Sequence, residues 1–158
     1  MKDIRNSRDI TTANWIWLVI SVVVSVLFIV FSTPIYEMLY YNSEFSNEMY
    51  NSNMYYVIAL CTVLIVWFLP ILYYLVIDSN SLASAGIWSF LFVITLLCAP
   101  AVTFFYSNSK LTAENLVLTE PCRNFALANI GVTAVLFLLV SYALKHFSQN
   151  CECEPISI

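Results

Sequence analysis

Residues 55–77 read YYVIALCTVLIVWFLPILYYLVI, a run without a charged side chain. About 20 apolar residues suffice to carry an α-helix across the roughly 30 Å of a bilayer's hydrocarbon. A membrane β-strand would be about ten residues long and would alternate polar with apolar positions. This run does neither. A backbone in lipid must satisfy its own hydrogen bonds, so the stretch is expected to be a membrane-spanning helix.

Working outward, three further runs have the same character: residues 15–33, 86–106 and 125–144. The expected fold is therefore an all-α membrane protein, a four-transmembrane-helix bundle occupying residues 15–146. Composition agrees. The 158 residues are 61% hydrophobic and 10% charged, with a mean hydropathy of +0.81. Soluble domains hold about 45–50% apolar and about 25% charged residues. A net charge of −4 and only six cations argue against nucleic acid, which is bound by clustered Lys and Arg. The bilayer is the first expected partner. The first run follows a polar leader, residues 1–14, and lacks the short h-region and small-residue site of a cleavable signal. It is expected to stay as the first span.

Cation placement gives an expected orientation. Lys2, Arg5 and Arg8 precede the first span and Lys145 follows the last, against Lys110 and Arg123 in the loop between the third and fourth. Cytoplasmic flanks carry the excess of Lys and Arg. Both termini are therefore expected in the cytoplasm of a multi-pass protein of a plasma or bacterial inner membrane. That places loops 34–54 and 107–124 outside, and a disordered tail, residues 147–158, inside.

Several features carry possible chemistry. Pro70 and Pro100 lie within spans, where proline kinks a helix. They read as gate hinges or, more simply, as static curvature. Ser21 and Ser25 share one face of the first span, and Asn129 and Thr133 one face of the fourth. Small hydroxylated and amide residues pack and hydrogen-bond helices together in lipid, so these four are expected to join the two spans. No span interior carries an ionisable group, the usual mark of proton relays and ion paths. Cys61 and Cys98 fall in spans, and Cys122 is expected outside. His146, Cys151 and Cys153 supply three possible metal ligands, one short of a closed zinc site. No cofactor or metal is expected. Catalysis needs a nucleophile with a base or paired carboxylates, and neither pattern occurs, so the chain is not expected to be an enzyme.

The first outer loop, YEMLYYNSEFSNEMY over residues 36–50, holds the most distinctive pattern. Read as one helix at about 100° per residue, residues 35–50 place Glu37, Tyr41, Glu44 and Glu48 within an arc of roughly 60°. Ile35, Met38, Leu39, Phe45 and Met49 gather opposite. A short amphipathic helix with its apolar face on the bundle is expected, and the acidic arc is the candidate partner-binding surface. Asn42 and Ser43 weaken its middle, so two short helices are the alternative. The functional expectation is non-catalytic protein–protein binding on the extracytoplasmic side, as an accessory subunit or an immunity-type protective protein. The rival is a small oligomeric channel or carrier for an uncharged solute.

Overall fold

The computed structural model describes residues 2–77, 84–145 and 147–148, with side chains from residue 15 onward. The described chain is helical throughout, with no strand. Its elements are α1 (Lys2–Val30), α2 (Ser32–Leu39), α3 (Ser43–Asn51), α4 (Met54–Ile71), α5 (Ala85–Ala113) and α6 (Thr119–Lys145). Three stretches are long and apolar enough to cross a membrane: Met54–Ile77, Ala85–Ala113 and Thr119–Lys145. A fourth crossing exists only if Trp15–Val30 and Ser32–Leu39, bent by 78° at their junction, are one span.

The helix boundaries have local causes. Asn42 caps α3, its side chain accepting the Phe45 N–H at 3.1 Å, and Ser84 caps α5 by accepting the Ile87 N–H at 3.3 Å. Such caps satisfy backbone donors that a helix start leaves unpaired. At the end of α5, Asn115 takes a left-handed φ of 62°. The Leu116 N–H then reaches the Leu111 carbonyl at 2.9 Å, and the Asn115 N–H reaches Thr112. This double bond pattern closes a helix C-terminus. The outer loop expected over residues 107–124 is thus mostly helix, and only 114–118 link α5 to α6. Pro70 does more than curve α4. The helix opens two residues later into a π-helical turn, Leu72–Ile77, the wider winding found where a ladder is interrupted. α5 runs unbroken through Pro100.

The decisive asymmetry is one of height. Ser21 Oγ donates to the Leu139 carbonyl at 3.3 Å, which puts those residues level. From there α6 climbs about 30 Å to its first residue, whereas α1 climbs only about 15 Å before it breaks, at 1.5 Å per residue. The helices therefore leave a step above α1. α2 and α3 fill it, both packing on α4.

The seat is aromatic. Tyr36, Phe45 and Met49 are fully buried. The Tyr36 ring lies 4.9 Å edge-on from Phe125, 5.5 Å from Phe28 and 5.9 Å in a stack with Tyr55. Phe45 lies 5.4 Å from Phe125. Edge-on and offset ring pairs of this kind contribute about 0.5–1.5 kcal/mol each beyond the area they bury. At the other end, Trp15 meets Phe147 at 5.3 Å and Trp17 meets Tyr142 at 5.0 Å.

Candidate functional site

The step-filling helices, here the cap, are fastened from below by one amide. Asn129 of α6 is fully buried. Its Nδ2 donates to Thr103 Oγ1 at 2.8 Å and to Thr62 Oγ1 at 3.1 Å, and its Oδ1 accepts the Tyr36 hydroxyl at 2.9 Å. Thr103 spends its own proton on the Ala99 carbonyl at 2.9 Å, so it can only accept from Asn129. That fixes which way the amide points, and it obliges Tyr36 to be the donor. An amide has two protons and one carbonyl oxygen. All three groups are engaged, with partners on α2, α4 and α5.

The same logic runs through the neighbouring hydroxyls. Thr133 donates to the Asn129 carbonyl at 2.7 Å, and Ser107 to the Thr103 carbonyl at 2.8 Å. These bonds close on the helices' own backbones. Asn129, Thr103, Thr133 and Ser107 are thus all bonded, as an apolar surrounding demands of a buried polar group, whereas the buried hydroxyls of Tyr55 and Ser141 have no partner among the described residues.

Of the four residues expected to join the first and last spans, all are buried, but no bond links the serine pair on α1 to Asn129 or Thr133 on α6. Ser21 bonds to the α6 backbone at Leu139. Ser25 donates to the Ser21 carbonyl at 2.8 Å and accepts the Trp67 indole N–H at 2.9 Å, tying α1 to α4. Asn129 turns toward α2, α4 and α5, and Thr133 to its own helix. The height difference explains this: Asn129 sits level with the end of α1, above both serines. Pro70 and Pro100 are buried too.

The expected single amphipathic helix is two helices, broken at residues 40–42, where the extended Asn42 makes its cap. Breaking it rotates the faces. Phe45 and Met49 point inward as expected, whereas Met38 is 91% exposed and Leu39 is also exposed. Tyr36 takes the inward place on α2, because its hydroxyl reaches Asn129. Glu44 and Tyr41 are exposed, and Glu37 and Glu48 are half-buried at the rim. Cys122, expected to be accessible, is fully buried where α6 packs near its start. His146, Cys151 and Cys153 lie outside the described residues, as do residues 78–83 between the second and third apolar runs. Among the described residues no cluster of three or more His, Cys, Asp or Glu could hold a metal ion.

The capped end is acidic. Glu37, Glu44, Glu48, Glu114 and Glu120 share it with two cations, Lys110 and Arg123. Arg123 is drawn to Glu120 at 3.7 Å, a solvent-exposed pair that adds little stability. The arrangement defines a multi-pass, all-helical membrane protein whose described polar groups are devoted to packing at one end and acidic display above it. No family model, curated protein or solved structure matches the chain.

Proposed function

We propose that the protein acts by binding another protein through the acidic rim of the cap, without catalysis, as an accessory subunit of a membrane assembly or as an immunity-type protective protein. In this reading α1 and α2 together make a fourth crossing, both termini lie in the cytoplasm, and the cap faces outward. The observation that supports it most is the contrast between seat and rim. Tyr36, Phe45 and Met49 are fully buried, so Glu44 is presented on a helix held by ring packing, with Tyr41 in the three-residue link between α2 and α3. Charge-assisted bonds to a basic partner need acceptors in fixed positions. The rival reading, a polar path for a small solute, draws less support. Asn129 and the hydroxyls around it bond to one another or to backbone, which is how packing groups behave. The two buried hydroxyls without a partner among the described residues, on Tyr55 and Ser141, do not make a continuous polar path.

Pull-down from gently solubilised membranes tests the proposal. Wild type is expected to retain a partner whose capture falls as salt rises. Glu44→Lys with Glu48→Lys should weaken that capture by roughly tenfold at low salt, mainly by slowing encounter. Both sites leave the buried seat intact, so the yield should not change. Undiminished capture by the double variant would sink the rim as the binding surface.

A further inference from the structure

Beneath α2 lies an open-sided groove of about 500 Å³ between α1 and α6. Its walls include Leu27 and Phe28 on α1 and Gly131 and Val135 on α6, and its roof is Ile35 and Met38 of α2. Every side chain lining it is apolar. We propose that this groove is a binding site for one acyl chain of a membrane phospholipid, held as a resident ligand under the cap. The proposal stands apart from partner binding at the acidic rim above.

Depth comes first. From Trp15 to its break α1 rises about 24 Å, short of the roughly 30 Å of hydrocarbon. Above Asn129, the first charged side chain on α6 is Arg123. It stands about 9 Å above Asn129, the residue that bonds to α2. Both estimates put the groove inside the hydrocarbon of one leaflet, with α2 along its upper edge and Glu37 of α2 on the rim side. Met38 and Leu39, exposed on α2, then face lipid and not water.

Water is the wrong occupant. A water molecule needs two to four polar partners, and apolar cavities of this kind stay dry and take up hydrocarbon. A helix is the wrong occupant as well. With side chains it is about 10–12 Å across and needs the full membrane depth, whereas the α1 wall of the groove is about 10 Å tall and α2 closes it above. A flexible chain can enter from the open side and end under the roof. Gly131 makes room for it: a Cβ built there meets nothing within 4 Å.

That same space makes the test clean, since a side chain added at Gly131, a residue of the groove lining, starts from a Cβ that meets nothing within 4 Å. The full-length chain is reconstituted in vesicles of phosphatidylethanolamine and phosphatidylglycerol, extracted in mild detergent and weighed by native mass spectrometry. Wild type should retain a phospholipid per chain. Gly131→Phe and Val135→Trp should each cut that retention roughly tenfold or more, with the melting temperature kept or raised. Leu64→Phe, on an exposed face of α4 away from the groove, should retain it. Two results overturn the proposal. One is equal retention by wild type and both groove variants, or none by any of them, which means ordinary boundary lipid only. The other is a dimer of wild type, cross-linked through Val135→Cys, that Gly131→Phe converts to monomer, which makes the occupant a second copy of this chain.

Discussion

At the scale of the residue, Asn129 decides more than any other side chain. It is the one amide inside the four apolar runs, and it bonds to three helices at once. Interhelical hydrogen bonds in membranes average about 0.6 kcal/mol each, with a maximum near 1.7. Asn129→Leu removes three and strands the Tyr36 hydroxyl, so it should cost about 2–4 kcal/mol in a detergent unfolding titration. Tyr36→Phe removes one bond and keeps the ring in its aromatic seat, so it should cost about 1 kcal/mol or less. The double variant should be less damaging than the two single costs added, because the Tyr36–Asn129 bond can be lost only once. Equal costs for the two single variants would mean that ring packing, not the amide, fastens the cap.

The sequence makes Asn129 visible as a polar intruder, and its buried character follows from that alone. Its partners are harder to see. An amide offers more bonding groups than one neighbour can satisfy, so hydroxyls at similar depth on other helices are the natural search. Thr62 and Thr103 meet that criterion. Tyr36 escapes it because depth is counted along a straight helix, and the 78° bend brings α2 down beside residues that the linear count places far below it. Membrane-length helices, by contrast, are legible because a long uncharged run has only one way to satisfy its backbone in lipid.

At the scale of the element, the break between α2 and α3 replaces one amphipathic surface with two differently facing ones. α3 keeps the expected pattern, with Phe45 and Met49 inward and Glu44 outward. α2 turns Tyr36 toward the bundle and exposes Met38 and Leu39 away from it, while Glu37 stays half-buried at the rim. Phe45→Asp should therefore unseat α3 specifically. An unpaired carboxylate in that ring cluster costs several kcal/mol, enough to release a nine-residue helix but not the interlocked α4–α6 core. Limited proteolysis should then cut the variant within residues 40–53 while α4 to α6 stay intact. Wild-type resistance of that segment would show that α3 is held by something other than the Phe45 contact.

At the scale of the whole molecule, the placement of the termini turns on one labelling experiment. Cys122 cannot report on sidedness, since it is buried, but Asn47 is exposed on α3. In a chain whose native cysteines are replaced by serine, Asn47→Cys should react with a membrane-impermeant maleimide added to intact cells. Reaction only after the cells are opened would reverse the proposed orientation and move the acidic rim to the cytoplasmic side. Both results leave the three long crossings untouched, because those rest on length and composition.

The unequal heights of α1 and α6 also set an order of events during synthesis. Tyr36 leaves the ribosome 93 residues ahead of its acceptor on Asn129, and Phe125, which closes the ring cluster, comes almost as late. Until then the cap has no floor, and a tyrosine hydroxyl waits in or near lipid without its partner. A nascent chain stopped after α5 would hold membrane-length helices yet show an open ledge of aromatic and polar groups. Only the finished chain seals that ledge, so a sealed cap is a physical signature that the last helix has arrived, and an unsealed one is the surface a quality-control protease would meet first.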